Sequence, residues 1–124
     1  MEKVNNGLGN GKAIMRQMVR GNLEIIMLEL LREKPSYGYR IIVDIRNKHG
    51  VYFGPSTIYP LLGRLEKTGY AVSSWTNMDA RPRKVYQLTS KGQQYFNDAG
   101  TVFTECAREI AGQMERAKLQ VHPS

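Results

Sequence analysis

A chain of 124 residues, 41% hydrophobic and 23% charged, has the make-up of one folded domain rather than a disordered or membrane-spanning segment. One cysteine, Cys106, excludes an internal disulfide, and with only His49 and His122 beside it the chain lacks a ligand set for zinc. The net charge of +7 favours either a polyanionic partner or simple solubility.

Most of the first ten residues, Met1 to Asn10, are polar or glycine and are expected to fray. Residues 12–19 read either as a short helix with Ile14, Met15 and Met18 on its apolar side or as an unstructured basic arm. Gly21-Asn22 interrupts that pattern, and Asn22 is a candidate N-cap for a helix in which Leu23, Ile26, Met27, Leu30 and Leu31 recur at helical spacing. That helix should end before Pro35. Ser36 is the candidate N-cap of the next helix, 36–49, whose inner stripe is Gly38, Ile41, Ile42 and Ile45 and whose stop is a left-handed Gly50. Val51-Tyr52-Phe53 is short, apolar and β-favouring, and is expected to pair as a small strand.

The stretch 54–70 holds the pattern around which the rest is organised. Ile58, Leu61, Leu62 and Leu65 lie on one stripe of a helix; the opposite face carries Ser56, Pro60, Gly63 and Lys67, flanked by Tyr59 and Arg64. Taken alone, this is either an ordinary surface helix or one suited to a DNA groove. Pro55 fits the first helical turn, whereas Pro60 cannot donate to the carbonyl near Ser56 and predicts a tightened or kinked start. Gly69 is the natural C-cap.

Residues 70–76 and 83–88 favour strands around a loop at 77–82, which makes a hairpin bearing Arg81, Arg83 and Lys84. These cations either blunt an exposed sheet edge or touch DNA, and their position beside the groove-suited helix favours DNA. Ser90-x-x-Gln93 is a capping-box pattern. A helix from there to Val121 would be roughly 46 Å long. Its stripe of Phe96, Phe103, Ala107, Ile110, Met114, Ala117 and Val121 would overhang so small a body and is best buried against a second copy of the chain. Cys106, beside that stripe, is expected to be a buried small hydrophobe.

The charge is concentrated. Residues 34–91 carry ten Lys and Arg against three acids, residues 1–33 five against four, and residues 92–124 three against four. The middle of the chain therefore holds the whole surplus, as a nucleic-acid-binding module with near-neutral flanks would. The order α-α-α-β-β-α describes a mainly helical fold with a small β-hairpin, a winged helix-turn-helix followed by a long dimerisation helix. The helix pair 36–49 and 55–68 would be the helix-turn-helix and the hairpin the wing. No nucleophile–base pair, phosphate loop or metal-ligand set is present, so an enzyme is not expected and no cofactor is implied. A protein-interaction winged helix with an incidental basic face is the alternative. No apolar run approaches the roughly 18 residues of a membrane span, and the N-terminus lacks a signal peptide's apolar core, so a cytoplasmic location is expected.

Three segments carry a family resemblance: Tyr37-Gly38-Tyr39-Arg40-Ile41, then Tyr59-Pro60-Leu61-Leu62-Gly63-Arg64-Leu65-Glu66-Lys67-Thr68-Gly69, then Arg83-Lys84-Val85-Tyr86-Gln87-Leu88-Thr89-Ser90-Lys91-Gly92. In this order and spacing they resemble the PadR family of transcriptional regulators over about residues 21–95. The resemblance implies a homodimeric winged-helix repressor that binds double-stranded DNA, and a single terminal helix resembles the short subfamily. It divides the chain into an N-terminal extension, flexible or helical (1–20), a DNA-binding domain (21–89), a dimerisation helix (90–121) and a tail (122–124). It puts Tyr37, Tyr39, Ser56, Thr57, Tyr59, Arg64, Arg83 and Lys84 at or near DNA and makes Pro60 a family feature. Arg40, Lys67 and Arg81 are added as phosphate contacts on charge and position. Gly63 departs from a position often basic or polar in the family, and nothing carries over to residues 1–20. Some relatives look responsive to small aromatic effectors; here Met15, Met18, Tyr95, Phe96 and Phe103 line either such a space or a packed aromatic core at the dimer contact.

Overall fold

The computed structural model describes residues 9–78 and 80–120; the expectations placed on residues 1–8, on Asp79, on Val121 and on the tail 122–124 lie outside them. In chain order the elements are α1 (Gly11–Gly21), α2 (Leu23–Glu33), β1 (Ser36–Tyr37), α3 (Gly38–His49), α4 (Pro55–Lys67), β2 (Ala71–Met78), β3 (Arg81–Leu88) and α5 (Ser90–Leu119).

Helix α2 lies at the centre. Leu23, Met27, Leu30 and Leu31 are buried at the expected spacing, and so is Leu28 from the other side of the helix, because α3, β3 and α5 all pack against α2. Ile41, Ile42 and Ile45 of α3 and Ile58, Leu62 and Leu65 of α4 complete one core with Val51, Phe53, Ala71 and Tyr86. Truncating any of the fully buried aliphatics to alanine would cost about 2–5 kcal/mol.

Several local expectations are corrected. Ser36 does not cap α3: with Tyr37 it forms a short strand whose register is Ser36↔Tyr86 and Tyr37↔Val85. The sheet therefore has three antiparallel strands in the order β1-β3-β2, not two. Val51 and Phe53 do not pair as a strand; they turn inward from the α3–α4 connection while Tyr52 points out, so burial rather than a ladder holds them. Asn22 stands at the N-cap of α2 as expected, its carbonyl accepting from the Ile26 amide at 3.0 Å, but its side chain does not cap that helix: the side-chain amide donates back to the Met18 carbonyl of α1 at 2.7 Å. The cap of α5 is Thr89, one residue before the expected Ser90, and its hydroxyl accepts from the Gly92 amide at 3.0 Å. The expected hairpin loop 77–82 shrinks because the strands run to Met78 and resume at Arg81, with Ala80 at φ 59° in the tight turn.

Helix α4 is continuous through Pro60, and its first turn is tightened: the Gly54 carbonyl accepts from both Thr57 and Ile58 amides, at 3.1 and 3.0 Å. Its far end closes with Gly69 at φ +84°, the Gly69 amide donating to the Glu66 carbonyl and the Tyr70 amide to the Leu65 carbonyl, a Schellman pattern. There α5 begins. Thr89 donates through its hydroxyl to the Gly69 carbonyl at 2.6 Å and through its amide to the Tyr70 carbonyl at 3.1 Å. Lys91 donates to the Thr68 carbonyl at 2.9 Å, and Tyr95 stacks on Tyr70 with centroids 4.4 Å apart.

Beyond Gly100 the side chains of α5 are exposed in the single chain apart from half-buried Gly112, including Phe103, Ala107, Ile110, Met114 and Ala117 of the expected stripe. Phe96 is the exception within that stripe: it packs against the chain's own core and lies under Arg32. Cys106 is exposed in the single chain, not buried as expected, since nothing among the described residues covers this part of α5. Among the described residues no helix is long and apolar enough to cross a membrane.

The α4–α5 junction depends on a missing side chain. A Cβ at Gly92 would stand 2.1 Å from the Tyr70 carbonyl oxygen, which the Thr89 amide holds in place, and 2.7 Å from Leu88 Cδ1. Gly92→Ala should lower unfolding free energy by about 3 kcal/mol in a urea titration, as overpacking against backbone does; a change below about 0.5 kcal/mol would show that the junction yields.

Candidate nucleic-acid interface

Three elements offer the candidate surface: α3, the first turn and outer face of α4, and the β2–β3 hairpin. The turn between the helices is set by Gly50, left-handed at φ 71°, whose amide closes α3 on the Arg46 carbonyl at 2.9 Å. At the start of α4, Ser56 and Pro60 are exposed, Thr57 is half-buried and Tyr59 is 47% exposed. Pro60 has no amide hydrogen, so the Ser56 carbonyl one turn earlier loses its helical donor on the open face. Gly63 also faces open space; a Cβ there meets nothing within 4 Å.

Tyr59 is oriented by Gly38. A Cβ at Gly38 would lie 2.5 Å from the Tyr59 ring, so the ring rests directly on the start of α3, and glycine is what permits it. Tyr39 and Arg40, in the first turn of α3, are exposed. Tyr37, across the ladder from Val85, holds Arg83: the guanidinium carbon sits 4.4 Å from the Tyr37 ring centroid. The Nε of Arg83 is buried without a hydrogen-bond partner, so the ring face and not a carboxylate aims this side chain. Arg81 is exposed beside the hairpin turn.

The fold redistributes the charge surplus. Arg64 pairs with Glu24 at 3.0 Å, Lys48 with Glu29 and Glu33 at 3.4 and 3.6 Å, and Lys84 with Glu66 at 3.6 Å. Glu24, Glu29 and Glu33 come from α2, so acids outside the basic stretch neutralise part of it. Arg40, Lys67, Arg81 and Arg83 form no ion pair among the described residues, and they lie on the three elements named above. Arg64 thus points toward α2, beside a groove of about 300 Å³ that it shares with Arg20, Leu61 and Tyr95, while Ser56, Thr57 and Tyr59 stay at the opposite end of α4.

The residues foreseen as an aromatic space are not gathered into one. Tyr95 stacks on Tyr70 and lines the groove beside Arg64, Met18 and Phe103 share an apolar groove with Ile25 and Ile26, and Met15 and Phe96 pack against the core.

Other residues at this surface were not foreseen. Glu66, near the end of α4, accepts from the Ser73 hydroxyl of β2 and pairs with Lys84 of β3, pinning both wing strands to the helix. Trp75, 70% exposed, faces Lys84 across the ladder. Strand alternation would have put Trp75 on the face of Ser73, but nothing local links Glu66 to either strand.

The Ser73 hydrogen bond, with Lys84 secondary to it, holds the Glu66 carboxyl below its ordinary value of 4.5. What this pin adds to folding is therefore in place above pH 4.5 and lost as pH falls through the lowered value. In an NMR pH titration, Ser73→Ala should raise the Glu66 pKa by more than Lys84→Met does. The reverse order would mean that charge and not the hydroxyl holds it.

Comparison with known proteins agrees with this geometry. Residues 27–98 match the family described as the transcriptional regulator PadR-like family. Over 98 residues the chain is 31% identical to the transcriptional regulator Rv3488 of Mycobacterium tuberculosis, covering 79% of this chain and 91% of that one. Among solved structures, a PadR family transcriptional regulator from Eggerthella lenta is similar with a TM-score of 0.75 at 30% identity, covering 84% of this chain and 91% of that chain. A transcriptional regulator from Clostridium thermocellum is similar with a TM-score of 0.69, also at 30% identity, covering 78% and 96%.

Proposed function

We propose, for a chain that belongs to the PadR-like family of DNA-binding transcriptional regulators, that it works in the cytoplasm as a homodimeric repressor on a near-palindromic operator. One observation carries this reading: the first turn of α4 is exposed at Ser56, Tyr59 and Pro60, and Arg40 of α3, Lys67 of α4 and Arg81 and Arg83 of the hairpin are not spent on an ion pair among the described residues. In this reading residues 21–89 form the DNA-binding unit and residues 90–121 the dimerisation helix. Repression rather than activation is taken from the family resemblance.

Ser56, Thr57 and Tyr59, with Pro60 shaping the turn, meet base edges in the major groove; Tyr37 and Tyr39 lie beside them. Arg40, Lys67, Arg81, Arg83 and Lys84 meet phosphates. Arg64 and Lys84 must first leave Glu24 and Glu66. Exposed pairs of this kind are worth about 0–1 kcal/mol, against about 1–3 kcal/mol for a bidentate arginine on guanine, so the exchange is favourable for Arg64. The exposed stripe of Phe103, Ala107, Ile110, Met114 and Ala117, continued by Phe96 and Val121, supports pairing of two α5 helices, which would present two α4 helices about 34–36 Å apart. An effector pocket built from Met15, Met18, Tyr95, Phe96 and Phe103 together is not part of this proposal, because they fall on separate surfaces of the single chain.

Selection of bound duplexes from a random pool at moderate salt should enrich one near-palindromic sequence. No enrichment would favour the rival reading, a protein-interaction winged helix. On the selected duplex, Lys67→Ala should weaken all sequences alike and reduce the slope of log affinity against log salt by about 0.9, whereas Arg64→Ala should relax preference at one base pair with little change of slope. Ile110→Glu should give a monomer by sedimentation and lose roughly 100-fold in operator affinity, because the second half-site is no longer linked to the first. A dimer that survives this change would place the interface elsewhere.

A further inference from the structure

Helix α1 precedes the family-matched segment, which begins at residue 27. It is nonetheless seated on the body, with Val19 buried and Met15 packed against the core. From α1, Arg16 reaches a segment 36 residues away: its Nη1 donates to the Tyr52 carbonyl at 2.9 Å, and its guanidinium carbon lies 4.5 Å from the centroid of the Phe53 ring. Phe53 is 2% exposed, so the ring is an immobile platform. Tyr52 and Phe53 form the turn that feeds α4. The next residue, Gly54, is the N-cap of α4, and its carbonyl accepts the Thr57 and Ile58 amides that start the helix. Among the described residues no other side chain donates to the backbone of this turn.

We propose that Arg16 is a positioning residue for DNA recognition: by clamping the Tyr52–Phe53 peptide it fixes the first turn of α4, and so the placement of Ser56 and Thr57. This rests on the reading that α4 meets bases. Readout groups must be held to about 0.5 Å by the side chains behind them, and the clamped Phe53 sits three residues upstream of Ser56 and four upstream of the half-buried Thr57. Two properties single out arginine here. Its planar fork donates to the carbonyl while its face stacks on the ring, and a lysine ammonium cannot do both.

The test compares wild type, Arg16→Ala and Arg16→Lys on the duplex that wild type selects from a random pool and on a scrambled duplex of the same composition. Both variants should lose about fivefold in preference for the selected duplex, with the salt slope unchanged. Unaltered preference in both variants would overturn the proposal. So would a slope reduced by about 0.9 in Arg16→Ala with full rescue by lysine, which is the signature of a direct phosphate contact. A second readout needs no DNA. Hydrogen exchange at the Thr57 and Ile58 amides should quicken in both variants, and exchange at wild-type rates would sink the clamp even if DNA reading stands. If wild type selects no sequence while exchange quickens, the functional reading falls and the clamp remains.

Discussion

The close approach of Gly92 to the Tyr70 carbonyl is the constraint on which the rest depends. Here the end of α4 and the start of α5 share one knot of backbone, with Thr89, Gly69 and Lys91 bonded across it and Tyr95 stacked on Tyr70. No flexible linker separates the two helices, so the direction of α5 is dictated by the end of α4. Any rotation of α5 about this knot must break short hydrogen bonds or drive α5 backbone into the Tyr70 carbonyl.

At the opposite end, the start of α4 is governed by different forces. A charged hydrogen bond and a ring face hold the turn, Gly38 lets Tyr59 lie on α3, and a proline removes one helical donor. Between the two ends the helix buries Ile58, Leu62 and Leu65 and does little else. Electrostatics follow the same division. Arg64, near the C-terminal end, and Lys48, near the end of α3, are paired with acids of α2, while Arg40 of α3 and Arg81 at the hairpin turn are left without carboxylate partners among the described residues. Part of the surplus counted along the middle of the chain is therefore offset in the fold by acids of α2.

Periodicity carried the helices well. The stripes of α2, α3 and α4 are buried nearly residue for residue, because a helix with one apolar face has one way to face a core. Short elements were less legible. Ser36-Tyr37 reads equally well as a cap and as a strand, and only the presence of β3 beside it decides. Val51 to Phe53 has strand composition but meets no free strand. Residue types pointed to the candidate surface, as in the three motifs of the resemblance, whereas the partners of those residues within the chain stayed hidden. Arg64 with Glu24, Arg83 with Tyr37 and Arg16 with Tyr52 join residues distant in the chain, and charge or aromatic side chains alone do not specify such pairs.

Gly63 faces open space on the exposed side of α4, yet glycine in a helix interior costs about 1 kcal/mol relative to alanine. Packing within the chain does not require it, so the position is unoccupied rather than constrained. A residue with a Cβ there would strengthen the helix and displace no neighbour among the described residues. Position 63 is thus a place where the outer face of α4 accepts a new side chain by a single substitution, without compensation elsewhere in the described fold.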